Sequence, residues 1–463
     1  MGPDQGPVQL EVNMSDLKKL YETRLGRYQA AIALEPVDRV PLATGSNYFA
    51  EVYASYTKQE VIYDPEKWLA SEIKFCEDFP AIDVLRDNRI YGPLYDALGN
   101  HNYKLPGRDL PPDTQFQFVE KDYMKAEEYD ELIDNPTAFM INKLCPRVHH
   151  ELEGDYTVRK ANALVKAGMA QAMLGGHMKR RTQVLADQCG MAQPMAGFFL
   201  APLDALSDTL RDMKGIMRDM RRLPDKVLAA CDVLADEMIT IALATADPFK
   251  RWPIFCPTHK AMFLSPKEYD QFYWPSFKKV LTALTDAGHT VRCYLEGNQD
   301  AHAHHFKELP KGTILCDIDN QSDIFKVKEI LGGHQCLAGG IQDSLMILGR
   351  PEQVKERVKY LCETIGREPG FILSGGCNFP YDTKPENFKA LCEAVEEYGW
   401  VDRGLTPKPK TPADRPRPAL KQITPWAVKK AEISPILGDE ALIKNNWEAL
   451  ENMAYSFWWQ WCM

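Results

Sequence analysis

Short apolar runs alternate with amphipathic helical segments through the second half of this chain, and this alternation restricts the fold more than any other feature. Strands that are buried on both faces of a parallel sheet have unbroken apolar sequences, because helices cover both faces. The pattern therefore predicts βαβ units. The predicted strands of this half are residues 252–257, 290–295, 313–317, 335–339 and 371–374.

Helix signals separate these runs. The sequence Ser265-Pro266-Lys267-Glu268 combines an N-cap serine, a proline at the first helical position and a glutamate at the third. Further helices are predicted near residues 322–330, 351–365 and 385–398. The first half is less regular, with strands predicted at 40–44, 82–85, 183–186 and 198–201 and helices near 65–77 and 162–173.

The count of predicted strands is close to eight, which favours a (β/α)8 TIM barrel, an α/β fold, over a doubly wound sheet. The glycine-rich phosphate-binding motifs GxGxxG and GxxxxGK[ST] do not occur in the expected context. We predict an N-terminal arm and helix over residues 1–35 and the barrel over 36–402. A proline-rich linker would span 403–419 and a C-terminal aromatic helical tail 420–463. The tail would pack on the barrel's own flank, or cover the rim or a partner subunit.

The net charge is −10 and the pI about 5.6, which argues against a general nucleic-acid binder. No run of 18 apolar residues is present, and the first residues have no signal-peptide character, so we expect neither a membrane span nor secretion. Twelve cysteines without CxxC pairs suggest reduced thiols and a cytoplasmic location.

Chemically active side chains follow the predicted strands, at the end where a barrel carries its active site. Carboxylates, a histidine and a thiol at one rim suit a metal site or an acid–base pair. A carboxylate directly after a buried strand needs a partner or water, which singles out Glu296. Structural roles stay open for three of the candidates: the aspartate could act as a cap, the histidine as a hydrogen-bonded structural side chain and the cysteine as a packed thiol. The candidates are Asn47, Tyr48, His259, Glu296, Asp317, Gln342 and Cys377.

Three stretches carry a resemblance to a known family: LSPKEYDQFYWPSFKKVL, CLAGGIQDSLMILGRPEQVKERV and FILSGGCNFPYDTKPENFKALCEAVEEYG. Together with the Glu296-Gly297-Asn298 turn, they resemble the C-terminal half of the uroporphyrinogen decarboxylase superfamily. The N-terminal half is similar more loosely, through PVDRVP (36–41) and DPEKW (64–68). The resemblance implies a (β/α)8 barrel and one of two activities, decarboxylation of uroporphyrinogen or methyl transfer to or from a corrinoid protein.

The decarboxylases of the superfamily share an arginine-rich Met-Arg-Gln-Ala-Gly-Arg stretch that binds the acidic tetrapyrrole. The corresponding residues here, VPLATGSNYF (40–49), contain no arginine, which favours the methyltransferase branch. That branch often holds zinc through His-x-Cys and a later cysteine. Cys377 matches the later cysteine, whereas Tyr294 and Glu296 occupy the His-x-Cys positions. The resemblance thus implies zinc held by Glu296, Cys377 and His259, or a zinc-free site with Glu296 and Tyr294 as proton donors.

We therefore predict a methyltransferase that moves a methyl group from a small methyl ether, a methoxylated aromatic, to cobalamin carried by a partner corrinoid protein. Glu296, Tyr294 and Asp317 would act in catalysis, and Asn47, Tyr48 and Gln342 would bind the substrate. The alternatives are a uroporphyrinogen-type decarboxylase, a methylthiol or methylamine methyltransferase, and a non-catalytic barrel. A homodimer is left open, and no nucleic acid or membrane partner is expected.

Overall fold

The computed structural model describes residues 14–45, 48–86, 90–193, 196–410, 421–433 and 435–462. Five strands form one parallel sheet in chain order, and two further strands pair in parallel near the N-terminus. A short antiparallel pair lies between them in sequence. The strands are β1 (Ala43–Gly45), β2 (Val84–Arg86), β3 (Tyr103–Lys104), β4 (Gln117–Phe118), β5 (Ile254–Thr258), β6 (Val291–Leu295), β7 (Ile314–Ile318), β8 (Cys336–Gly340) and β9 (Phe371–Ser374).

The predicted α/β architecture with a parallel sheet is confirmed, and five of its strands begin and end within two residues of the predicted positions. A closed eight-stranded sheet is not formed by the described residues. Single parallel bridges join Leu42 to Leu373 of β9, Val84 of β2 to Ala192, and Phe198 to Phe255 of β5. The strand predicted at 198–201 is therefore reduced to one bridge, because the chain turns into a helix at Pro202.

Helices surround the sheets and connect successive parallel strands. They are α1 (Met14–Ile32), α2 (Phe49–Tyr53), α3 (Lys58–Tyr63), α4 (Pro65–Asp78), α5 (Gly92–Leu98), α6 (Tyr129–Asp134), α7 (Pro136–Phe139), α8 (Cys145–Val148), α9 (Val158–Cys189), α10 (Pro202–Leu206), α11 (Asp212–Arg222), α12 (Pro224–Thr245), α13 (Pro266–Glu268), α14 (Trp274–Asp286), α15 (Ile324–Leu331), α16 (Asp343–Leu348), α17 (Pro351–Thr364), α18 (Pro385–Tyr398), α19 (Trp426–Glu432) and α20 (Glu440–Cys462). None of those described has the length and apolar character that a membrane crossing requires.

One secondary-structure prediction for the first half of the chain is wrong. Residues 183–186, predicted as a strand, lie inside the 32-residue helix α9. Their short apolar run is part of a helical pattern, in which Arg181 and Leu185 share the buried face four residues apart. The capping box at Ser265 is confirmed: its hydroxyl accepts the Glu268 N–H, and the Glu268 side chain accepts the Ser265 N–H.

The PVDRVP motif has a structural role in this fold. Arg27 of α1 binds Asp38 through two hydrogen bonds of 2.6 and 2.7 Å and also contacts Asp83. Arg39 contacts Asp83 at 2.9 Å, and Asp83 accepts the Leu42 N–H at 2.8 Å. These buried, paired charges attach α1 to the start of both N-terminal strands.

The C-terminal tail packs on the outer helices of the chain's own body. Tyr455 is buried and donates a hydrogen bond to Glu237 of α12, which Lys421 also contacts at 2.6 Å. Trp459 is buried and donates to Thr137 of α7 at 3.2 Å. The two aromatic side chains therefore anchor α20 on the flank, one of the positions expected for the tail. The predicted linker lies mostly outside the described residues, which omit 411–420.

Candidate active site

The side chains of β6 and of the residues that follow it change from buried to solvent-accessible towards the carboxyl end. Arg292, Tyr294 and Glu296 are two residues apart and so point to the same face of the sheet. Arg292 is buried, whereas Tyr294 and Glu296 are partly exposed. On the neighbouring strand, Asp317 pairs in register with Tyr294, and the Tyr294 hydroxyl donates a hydrogen bond to Asp319. The opening of the site therefore lies at Glu296.

His259 follows β5 and faces Glu296 across this opening, with its Nε2 3.8 Å from a Glu296 oxygen. Its Nδ1 lies 2.5 Å from the carboxylate of Asp208. Burial opposes protonation, but this carboxylate outweighs it and raises the pKa of His259 to about 9. The imidazole is thus held as a charged proton donor by a partner on its far side.

Asp204 fixes the backbone that carries His259. Its fully buried carboxylate accepts the N–H groups of His259 and Lys260 at 2.9 and 3.0 Å and the hydroxyl of Tyr273 at 2.7 Å. Burial, with the charge of Asp208 nearby, raises the pKa of Asp204 to about 6. Asp204 and Asp208 lie four residues apart on adjoining helical turns, which explains why both reach the same loop.

Glu296 is only partly screened from solvent, with 44% of its side chain exposed. Burial of the remainder raises its pKa, and the charges of Asp319 and Asp208 act in the same direction, whereas His259 opposes them. Lys260 lies beside this group and contacts Asp208 at 2.9 Å and Glu120 at 3.0 Å. The site therefore contains a carboxyl group that is protonated more readily than an ordinary glutamate, next to a charged imidazole.

Asp317 has a different environment from the one expected for a catalytic carboxylate. It is fully buried, and its Oδ2 accepts hydrogen bonds from Arg86 at 2.8 Å and from Arg292 Nε at 2.9 Å. Burial lowers the pKa of Arg86, with the charge of Arg292 adding to the effect. The carboxylate is thus shared by two interior cations, whose charge it offsets in part, and its contact with a substrate stays a prediction.

Cys377 contacts this interior group, although its side chain is partly exposed. Its Sγ lies 3.4 Å from Arg292 Nη2, and its carbonyl oxygen accepts from Arg86 at 3.0 Å. Burial raises the pKa of the thiol, although both guanidinium groups oppose the shift. A thiol held against a guanidinium is poorly placed for a cation, because the two positive charges would repel.

The predicted zinc ligands are therefore only partly brought together. His259 and Glu296 face each other, but the ligand atoms of the three described residues Glu296, Cys377 and His259 do not all lie within 4.8 Å of one another. A zinc site needs at least three protein ligands at about 2.0–2.3 Å from the ion. This arrangement does not fit that three-ligand set.

The predicted substrate-binding residues have three different outcomes. Tyr48 is buried in an aromatic cluster, with its ring centroid 6.3 Å from that of Phe116. Gln342 is exposed and lines a cavity of about 310 Å³ that Asp319 and Arg357 also line. Asn47 lies outside the described residues. The cavity adjoins the opening through Asp319, which makes Gln342 the better-placed candidate.

Four residues that matter here were not predicted from the sequence: Arg86, Arg292, Asp204 and Asp208. Two of them left a usable signal, because an arginine within or directly after an apolar strand must find a buried partner. Arg292 interrupts the run 290–295 and Arg86 follows the run 82–85. The two aspartates gave only an i, i+4 spacing, which is common on any helix surface.

Comparison with known proteins matches residues 143–398 to the family described as uroporphyrinogen decarboxylase (URO-D). Uroporphyrinogen decarboxylase from Anaeromyxobacter dehalogenans is 24% identical over 176 residues, 38% of this chain and 47% of that protein. The enzyme of the same name from Pseudoalteromonas atlantica is 27% identical over 180 residues, 38% of this chain and 49% of that one. The chain thus spans about half the length of these relatives.

A solved structure described as a methyltransferase from Methanosarcina mazei is similar in fold, with a TM-score of 0.55 and 18% sequence identity. The similarity covers 82% of this chain and 98% of that protein. At this identity the likeness concerns the fold alone.

Proposed function

Because the chain belongs to the uroporphyrinogen decarboxylase family, we propose that it is a corrinoid-dependent methyltransferase that demethylates a small methyl ether, with a methoxylated aromatic as the methyl donor. The observation that carries the proposal is the chain of contacts from Asp208 through His259 to Glu296 at the strand ends. Such a chain delivers a proton to a leaving group. The fold similarity to a protein described as a methyltransferase supports the same class.

Cleavage of a methyl ether requires a proton at the departing oxygen. The methyl group leaves its oxygen without the bonding electron pair, and the oxygen keeps that pair. When bound, the Co(I) corrinoid of a partner protein supplies the nucleophile that accepts the methyl group. A phenolate leaving group has a pKa near 10, by analogy with tyrosine, so a proton that comes from His259, of pKa about 9, and passes through Glu296 is well matched to it.

The residues of this chain divide that task. Glu296 lies at the accessible end and would donate the proton to the ether oxygen. His259 would replace that proton, because Asp208 keeps it charged below pH about 9. Asp204 holds the backbone of His259 and Lys260 in place. Tyr294, predicted as a second proton donor, already donates its hydroxyl to Asp319, so we assign it an orienting role.

Zinc is not needed in this scheme. His259 and Glu296 could contribute two ligands, but Cys377 is held by Arg292. We propose the zinc-free alternative, with proton transfer replacing Lewis-acid activation. Metal analysis of the purified wild type and of Glu296→Gln tests it. A zinc content that differs by less than about 0.2 equivalents between the two agrees with the zinc-free site. A loss of close to one full equivalent in the variant contradicts it.

A decarboxylase is the second candidate, favoured by the similarity to proteins named uroporphyrinogen decarboxylase and by the interior arginines. An acidic tetrapyrrole needs several cations that face its carboxylates. Arg86 and Arg292 both bind Asp317, whose single negative charge offsets one of their two positive charges. Because few interior cations remain for the carboxylates of such a substrate, decarboxylation is the weaker proposal.

The experiment is a methyl-transfer assay with the full chain and cob(I)alamin. The donors are a panel of methoxylated aromatics, methylthiols and methylamines, with uroporphyrinogen decarboxylation measured in parallel. We expect turnover with a methoxylated aromatic and a loss of roughly 10²–10⁴-fold in Glu296→Gln. Glu329→Gln, an exposed glutamate on α15, is the matched control and should keep wild-type activity.

Three results would count against the proposal. Turnover of a methylthiol or methylamine alone would move the function to another donor class. Release of carbon dioxide from uroporphyrinogen would support the decarboxylase. No reaction with any donor, by a protein with a cooperative unfolding transition, would favour the non-catalytic barrel.

A further inference from the structure

Two histidines are placed side by side where the segment after α5 meets the end of α8. Asn100 and His149 form an antiparallel bridge, and the N–H of His101 donates to the carbonyl of Val148 at 2.9 Å. The rings of His101 and His150 are 5.9 Å apart between centroids. Backbone pairing therefore fixes the spacing of the two imidazoles before any ligand binds.

Glu153 completes the group through a local geometric rule. His150 begins a 3-10 helix, His150–Leu152, and Glu153 is its C-cap. With three residues per turn, side chains at i and i+3 of a 3-10 helix lie above one another. Glu153 oxygens accordingly lie 3.5 Å from His150 Nδ1 and 3.7 Å from His101 Nε2.

We propose that His101, His150 and Glu153 form a binding site for one divalent transition-metal ion of the zinc class. Their ligand atoms lie within 4.8 Å of one another, and they are the one such group of three among the described residues. Two imidazoles and a carboxylate are ligands that zinc prefers, whereas magnesium and calcium prefer oxygen ligands alone. All three side chains are about half exposed, so an ion can enter and keep water in its remaining position.

The surrounding charges do not oppose a cation at this place. Glu153 supplies a negative charge directly. The neighbouring Arg159 is paired with Glu151, and Lys160 donates to the carbonyl of Gly154 at 2.5 Å. The bound ion therefore meets the carboxylate of Glu153, while the Arg159 guanidinium is paired with Glu151 and the Lys160 ammonium group is held at the Gly154 carbonyl.

The proposed metal site lies at the start of residues 101–120, a segment that leads to the candidate active site. The N–H of Val119 donates to the carbonyl of Asn102 at 2.6 Å, and the next residue, Glu120, contacts Lys260 at 3.0 Å. An ion bound at His101 would join this segment to the 3-10 helix. We expect binding to slow backbone hydrogen exchange at residues 99–103.

The test is zinc titration of the full-length, chelator-treated protein, followed by calorimetry, thermal unfolding and hydrogen exchange. Wild type should bind one equivalent of zinc at this site, and magnesium should not compete. His101→Ala and His150→Ala should each weaken binding by at least about 10-fold, since a direct ligand matters no less than its supporting groups. His304→Ala, an exposed histidine elsewhere, is the matched control and should bind as wild type does.

Glu296→Gln keeps this test separate from the proposed function, because it would remove only zinc held at the other site. Zinc binding that survives both His101→Ala and His150→Ala would overturn the proposal, as would the absence of zinc binding in wild type. Both variants change half-exposed side chains, so an unchanged unfolding midpoint in chelator shows that they are folded.

Discussion

Two charged groups share strand β6, and they differ in how their charges are balanced. In the interior group, Arg86 and Arg292 surround Asp317, and all three are buried. In the opening group, Glu296 meets His259, whose far side is held by Asp208. The two interior arginines share one carboxylate away from solvent, whereas Glu296 is 44% exposed and its pKa is raised. A buried ion-paired group joins the strands that carry it, and an accessible carboxyl group with a raised pKa can do chemistry.

The largest expected effect separates the two groups by stability. Asp317→Asn leaves two buried guanidinium groups without their anion, and we expect a loss of about 3–5 kcal/mol in the free energy of unfolding. Glu296→Gln should change it by less than about 1 kcal/mol, because the side chain is partly exposed. Urea denaturation of both variants measures the difference. Equal losses would show that the two groups are not distinct.

The second effect concerns activity. Asp208→Asn removes the carboxylate that keeps His259 charged, so the pKa of His259 should fall and methyl transfer should slow by roughly 10²-fold. NMR titration of the His259 ring and the methyl-transfer rate measure the two quantities. Asp286→Asn, an exposed aspartate at the end of α14, should change neither. A slowed variant with an unchanged His259 pKa would argue against proton delivery through this histidine.

A smaller effect is the dependence of stability on pH. The pKa of His259 is raised from 6.5 to about 9 on folding, so its contribution is complete below pH about 6.5 and is lost as the pH rises through about 9. Because solvent screens the partly exposed imidazole, we expect the free energy of unfolding to fall by about 1 kcal/mol over this pH range. Denaturation at a series of pH values should show it in wild type and much less in Asp208→Asn. A profile that is equally steep in both would assign the dependence to other groups.

The smallest effect lies at the outer edge of the opening. Gln342 is exposed and lines the cavity that Asp319 also lines. Gln342→Ala should change the free energy of unfolding by less than about 0.5 kcal/mol and raise KM for the methyl donor by a few-fold, with little change in kcat. Steady-state kinetics tests this. A change in kcat alone would place Gln342 in the chemistry and not in substrate binding.

Much of the parallel sheet could be predicted because its strands are buried on both faces and therefore carry unbroken apolar runs. Phe371–Ser374 has the predicted bounds. The first half was harder to predict: residues 183–186 belong to a long helix, and 198–201 form only one bridge. A short apolar run fits either a strand or a buried helix face, and only length and packing distinguish them.

The sequence by itself determined the α/β class, the order of the strands in the second half and the position of Glu296 at a strand end, since apolar periodicity and chain direction are local properties. The tertiary structure alone decided the partners. It placed Asp208 behind His259, two arginines around Asp317, and Cys377 against Arg292 instead of beside Glu296. These contacts join residues from 25 to more than 200 positions apart, so they depend on how the strands and helices pack.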